Sequence, residues 1–420
     1  MKRIIFWMLF MLTIAGLRAQ VTLEECHKKT QENYPLVKQY GLVEKTKEYN
    51  LSNAAKGYLP QFTLSAKGTY QSEVTKLGVQ IPGVDVKSLS KDQYQVMLEM
   101  QQNIWDGGNI RSQKEMAKAS SDVDREKLNV DMYALTERVN DLFFGILMLD
   151  EQLKQNTLLQ DDLARTFKQV SAYVDNGIAA TSDLDAVKVE QLNTGQQRTQ
   201  LEASKQAYVK MLSVFMGEKI ADTVTFVRPE EKIPVPSIAA GIYRPEMFWF
   251  EAQNGRLQAN EKELYARNMP RLSVFVQGAY GNPGLNMLKN EFTPYYVAGV
   301  RLAWNFGGLY TLHNDKKLIE ASRQQLFSNR DVFLFNTQLQ ATQQSSEVQS
   351  VKEVMQKDEE IIALRTNIRK AAEAKVANGT LTVTDMLREI TSENMARQTK
   401  ALHEVQLLMN IYQLKYTTNN

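Results

Sequence analysis

The chain has 420 residues, 43% of them apolar and 23% charged, with 21 Gly, 10 Pro, one Cys and three His. That composition excludes a disordered or Pro-rich chain, a disulfide framework and a multi-cysteine metal site. The net charge is +2; without Lys2, Arg3 and Arg18 the 50 basic residues fall to 47 against 48 acidic ones, so no broad field draws the body to nucleic acid.

Residues 1–20 read as a secretory signal peptide: Lys2 and Arg3, an apolar run over Ile4–Leu12, then Ala15, Gly16 and Ala19 before a cut near Ala19 or Gln20. The acidic pair Glu24-Glu25 does not suit a lipidation site at Cys26, which reads as an ordinary half-buried thiol. No later run approaches the roughly 18–20 apolar residues of a membrane helix. An exported chain of this kind is soluble or crosses an outer membrane as β-structure.

The first structural repeat is expected over 21–228. A helix over Leu23–Gly57 leads to Leu59-Pro60-Gln61-Phe62, which opens a strand over 62–71 with strict alternation. A second alternating strand covers 94–104 and leaves through Trp105-Asp106-Gly107-Gly108. From Arg111 a long helix runs to 174. Leu128, Leu135, Leu142, Leu149, Leu163 and Val170 hold one heptad phase, broken by Asn156. Met132, Val139, Ile146, Leu153, Phe167 and Val174 hold the other, broken by Gln160. At 1.5 Å per residue the helix is roughly 95 Å long. Asn176-Gly177 ends it, and Thr or Ser in Thr181-Ser182-Asp183 caps the next helix, 183–216.

Pro229, Pro234, Pro236 and Pro245 mark a linker over 229–245. A second repeat follows over 246–416. Met269-Pro270-Arg271-Leu272 opens a strand over 272–280, and a fourth strand over 296–306 ends in Trp304-Asn305-Phe306-Gly307-Gly308. A helix over 309–377, with a weaker seam at Val354, Ile361 and Ile368, ends at Asn378-Gly379. Asp385 lies six residues after its Gly, as Asp183 does, and opens a helix over 383–416; a tail of 417–420 remains.

Four strands of 9–11 residues match membrane strands but cannot close a barrel, because the smallest have about eight. Three copies supply about twelve. Lys67, Glu99 and Arg301 then line water, Trp105, Trp304, Tyr70 and Tyr94 sit at the strand ends as interface aromatics, and Ser72–Gln93 and Gly281–Pro294 are the outer loops.

The duplicated plan, the Leu-Pro-Gln-Phe strand opening, the Trp-Asp-Gly-Gly exit and the two Gly-x5-Asp turns resemble the TolC-like outer-membrane efflux and secretion channels, over about 22–416. The resemblance implies a mainly α fold with membrane β: a long antiparallel α-helical coiled-coil barrel plus four membrane β-strands per protomer, internally duplicated, in a trimeric 12-stranded β-barrel. It implies a homotrimer in outer-membrane lipid with a large periplasmic portion, no cofactor, and a passive duct served by a periplasmic adaptor (membrane fusion) protein and an inner-membrane transporter. It places Gly177 and Gly379 at the periplasmic tip, with Asp183, Asp385 and Arg388 around the aperture; Arg388 departs from the acidic ring of some members, and Asp183 and Asp385 also suit plain helix N-termini. No phosphate loop, nucleophile elbow, His–Glu metal helix or Cys–His pair marks an enzyme. The alternative is a soluble periplasmic coiled-coil adaptor, which would carry one helical hairpin beside a small β-domain.

Overall fold

The computed structural model describes residues 20–75, 89–221, 224–230 and 241–419. The expected signal peptide up to Ala19, residues 76–88 of the first outer loop and the linker prolines Pro234 and Pro236 lie outside the described residues. Along the chain run β1 (Gln20–Val21), α1 (Leu23–Asn33), α2 (Val37–Ala55), a 3-10 turn (Lys56–Tyr58), β2 (Gln61–Tyr70) and β3 (Asp92–Trp105). Then come α3 (Asn109–Asp175), α4 (Thr181–Met216), β4 (Thr225–Phe226), α5 (Pro245–Arg267), β5 (Arg271–Asn282) and β6 (Thr293–Ala303). Three helices complete it: α6 (Gly307–Met355), α7 (Asp358–Ala377) and α8 (Val383–Thr418). Two compact units divide the chain, one of residues up to 39, 128–247 and 331 onward, the other of 40–127 and 248–330. Each draws on both halves of the sequence.

In the first unit, Leu128, Leu135, Leu142, Leu163 and Val170 of the α3 seam are buried. Asn156, the break in that seam, is buried too, and its Nδ2 donates to the Thr194 carbonyl of α4 at 3.1 Å. Gly145 lies under Tyr208: a Cβ there would stand 2.4 Å from the ring. One core joins Leu23 and Cys26 of α1, Val139, Phe143, Phe144 and Ile146 of α3, Leu212 and Met216 of α4, and Val405 and Leu408 of α8. Cys26 is fully buried rather than half-buried, because α1 turns it into this core, and burial, with the adjacent Glu25 charge, pushes its thiol up to about 12. Gln20, counted with the leader in the sequence, pairs with Thr225 in a two-residue parallel ladder. The expected helix over Leu23–Gly57 is two helices: Tyr34 is extended, because Pro35 disfavours α backbone at the residue before it.

The expected helix over 309–377 is also two. It breaks at Gln356–Lys357 without Pro or Gly; Asp358, first in α7, is buried, and the Nδ1 of His403 lies 2.9 Å from its carboxylate. The seam expected at Val354, Ile361 and Ile368 stays exposed, while Ala341, Val348, Ile362, Ala372 and Val376 are buried. Ala341, Val348, Ile362 and Val376 hold one heptad phase, one residue beyond the expected stripe. The tail is helical: Thr417 and Thr418 are buried at the end of α8, and the Thr418 carbonyl accepts from the Tyr243 N–H at 3.1 Å. Beside it, the Arg244 guanidinium lies over the rings of Tyr416, Phe333 and Tyr133 at 5.1, 5.4 and 5.6 Å and pairs with Glu246.

In the second unit, β2, β3, β5 and β6 form one antiparallel sheet in that order. The fourth strand ends at Ala303 instead of residue 306, because Trp304 turns out of the ladder and its Nε1 donates to the Asn268 carbonyl at 3.1 Å. The strands also reach further into the outer loops than expected, so the second loop shrinks to Pro283–Phe292. Asp106 caps α3, accepting from the Gly108 and Ile110 N–H groups at 3.0 and 2.6 Å; Asn305 accepts from Gly307 N–H in the matching place before α6. Gly107 has φ +70, and a Cβ there would meet Met269 at 2.4 Å, so the strand exit requires glycine twice over.

Candidate functional site

Two surfaces carry the residues singled out by the sequence: the sheet and the helical turns. Along the sheet, residues opposite one another share a face. Phe62 pairs with Met100, Leu64 with Leu98, Val96 with Tyr280 and Gly278 with Tyr296. Leu64, Leu98, Tyr280 and Tyr296 are exposed. The opposite face is polar. Gln277 Nε2 and Arg301 Nη1 donate to Glu99 at 2.8 and 3.2 Å, Gln101 donates to Ser273 Oγ at 3.1 Å, and Arg301 lies 4.6 Å from the Phe275 ring centroid. Lys67, opposite Gln95, shares this face. Alternation alone dictates the split, since side chains of a strand point to opposite sides at period two.

The aromatics at the strand ends fall in two rows. Trp105 and Trp304 stand at one end of the strands, Tyr70, Tyr94 and Tyr280 toward the other. A bulge at Ile104 sets Trp105 opposite Leu272, on the apolar face. From Leu272 to Asn282, the partner of Tyr94, is about ten steps of ~3.3 Å, which at a tilt of ~45° spans roughly 23 Å. The apolar band of a membrane barrel is about 25 Å tall. Strands β2 and β6 have no neighbour on their outer edges among the described residues. No helix among the described residues is long and apolar enough to cross a membrane.

The two helical turns are copies of one another. Gly177 and Gly379 have φ of +73 and +67. In each, the Gly N–H donates three residues back, to Val174 or Val376, and the next N–H donates to Tyr173 or Lys375. The preceding Asn176 and Asn378 each donate through Nδ2 four residues back. This is the glycine C-terminal motif with its carbonyls satisfied. Asp385 N–H donates to Thr382 Oγ1 at 3.1 Å, so Thr382 caps α8. In the first copy the cap is Ala180, not Thr181 or Ser182, and Asp183 supplies the polar half by accepting from the Ala180 N–H at 3.0 Å. Asp183 and Asp385 therefore both serve helix starts. Arg388 reaches Asp385 of its own helix at 3.6 Å, and Glu389 meets Arg365 at 3.4 Å. Below the turns, Leu163 and Val170 of α3, Val187 of α4, Ala372 and Val376 of α7, and Met386, Leu387 and Ile390 of α8 form one core, so both hairpins pack together.

A buried network between α7 and α8 escaped the sequence reading. Glu393 accepts from Thr366 Oγ1 at 2.9 Å, from Arg397 Nη2 and Nε at 2.6 and 3.0 Å, and from Arg369 Nε. Burial pushes its carboxyl up, but these donors and the Arg369 charge more than offset that and hold it below the ordinary range. Glu393, Arg397, Arg369 and Thr366 carry no motif; only the i,i+4 pair Glu393–Arg397 was visible in the sequence.

Residues 28–218 match the family model for outer membrane efflux proteins. No curated protein matches the chain in sequence. Solved structures share its fold: the outer-membrane channel OprN (15% identity, TM-score 0.70, 94% of this chain and 89% of that one) and the CmeC outer membrane channel of Campylobacter jejuni (12%, 0.66, 94% and 85%). The open state of the MtrE outer membrane channel of Neisseria gonorrhoeae is similar in the same way (12%, 0.67, 95% and 89%). Two helical hairpins and one four-stranded sheet also set the adaptor alternative aside, since an adaptor carries a single hairpin. Over 28–218 the chain is thus similar in sequence to outer membrane efflux proteins, and over nearly its whole length it shares the fold of outer-membrane channels.

Proposed function

We propose that the chain is one protomer of a trimeric exit duct in the outer membrane, passing substrates that an inner-membrane transporter delivers through a periplasmic adaptor. The observation that carries this is the sheet: one face of exposed apolar side chains, one polar face with Lys67, Glu99 and Arg301, and two unpaired edges. Open sheet edges do not survive in lipid, so β2 of one copy pairs with β6 of the next until the sheet closes. Three copies give about twelve strands, enough to leave a water-filled lumen. The turns at Gly177 and Gly379, with Asp183, Asp385 and Arg388, form the periplasmic aperture and the surface offered to the adaptor. The chemistry of the duct is electrostatic and passive; the transporter supplies the work.

The test is assembly. Cross-linking the purified chain in mild detergent should trap a species of three chains, and unheated samples should migrate anomalously on gels until boiled. A monomer that keeps its full β content would overturn the reading.

A further inference from the structure

At the Trp105/Trp304 end of the strands the second unit holds a cleft of about 640 Å³ between the end of α5, the start of β5, the end of β6 and the first turns of α6. Arg267, the last residue of α5, and Arg271, the first of β5, both line it. Among the described residues neither guanidinium has an ion-pair partner. Asp315 is the single acid in the lining, so cations outnumber acids two to one. Asn305 and Thr311 add polar groups, and Gly308, in the first turn of the 49-residue α6, lines the same wall. Forked guanidiniums are donors that phosphate oxygens take up in bidentate pairs.

A second feature says what the phosphate is attached to. Trp304 forms part of the wall with its Nε1 tied to Asn268, leaving the half-exposed indole face outward. Phe306, Leu309 and Tyr310 continue an exposed apolar strip beside it. Indoles at the end of a membrane strand mark the headgroup level.

We propose that this cleft binds the phosphate group of an anionic amphiphile, Arg267 and Arg271 holding the phosphate and the Trp304–Tyr310 strip the adjoining chain. The lipid source rests on the membrane placement of the sheet proposed above; the phosphate chemistry does not.

The test uses the full chain in neutral detergent, as wild type, Arg267→Gln/Arg271→Gln and Arg267→Lys/Arg271→Lys. Native mass spectrometry would count adducts of short-chain phosphatidylglycerol, of inorganic phosphate and of an uncharged diacylglycerol of equal chain length. Phosphatidylglycerol should bind the wild type, at least tenfold more weakly the Gln pair and intermediately the Lys pair, because Lys keeps the charge but not the fork. Diacylglycerol should not bind. Inorganic phosphate binding as tightly as the lipid would assign the site to free phosphate, keeping the phosphate chemistry and removing the amphiphile. Unchanged lipid adducts in the Gln pair, or equal binding of diacylglycerol, would overturn the proposal. Heat-modified mobility, read on the same samples, tests the sheet's membrane role separately.

Discussion

Glu393→Gln keeps the volume of a buried side chain and removes its charge. Hydrogen bonds to a charged group contribute about 1.5–3 kcal/mol each, and breaking a buried ion pair from one side costs about 3–5 kcal/mol. Arg397 and Arg369 retain 44% and 23% side-chain exposure, so both rehydrate when the carboxylate goes. That discount leaves about 2–3 kcal/mol. Opening of the α7–α8 hairpin should then be roughly 30- to 150-fold more frequent. Hydrogen–deuterium exchange of the backbone amides of 362–370 and 390–398 at pH 7 reads this directly. The pH dependence has a fixed sign. A carboxyl held below its ordinary value contributes stability that is fully present above its unfolded pKa, about 4.3 for Glu, and is lost as pH falls through the folded value. The wild type and Glu393→Gln should therefore differ at pH 7 and converge in acid, as the pH drops below about 4.3 and on through the folded value. Equal exchange at pH 7, or a difference that grows in acid, would refute the assignment of hairpin stability to this network.

Gly177→Ala and Gly379→Ala meet open space, so their cost is that of a left-handed backbone alone, about 1–2 kcal/mol; Asn at either position should recover much of it, read as protease nicking at the turn. Gly145→Ala drives a Cβ into the Tyr208 ring and should destabilise α3–α4 by about 1–3 kcal/mol, with Tyr208→Ser restoring most of the loss in a double-variant exchange experiment. Cys26, buried with its thiol raised to about 12, should resist a maleimide at pH 8 in the folded protein and react once denatured. Arg388→Ala removes an exposed pair within one helix and should change hairpin exchange by no more than about 0.5 kcal/mol, so a larger change would mean that Arg388 binds beyond its own helix.

Short-range signals were legible wherever a residue acts on its own backbone. Period-two alternation placed all four strands, and the Asn-Gly pairs placed both turns, because αL backbone and strand pleat are local. The α3 seam was legible for the same reason: long heptads bury one stripe whichever helix lies opposite. The break at Pro35 is equally local, since the proline itself sets the backbone of Tyr34. What only the tertiary structure decided depends on residues far apart in sequence. Asp358 meets His403, Glu393 gathers Arg369 and Thr366, and Arg244 enters the Tyr133–Tyr416–Phe333 cage. The second seam failed on that ground: Ala341, Val348, Ile362 and Val376 are buried in one heptad phase that runs through the break at Gln356–Lys357, one residue on from the expected Val354, Ile361 and Ile368. Hydrophobic periodicity shows which stripes of a helix are apolar, whereas which of two neighbouring stripes is buried depends on the helices packed against it.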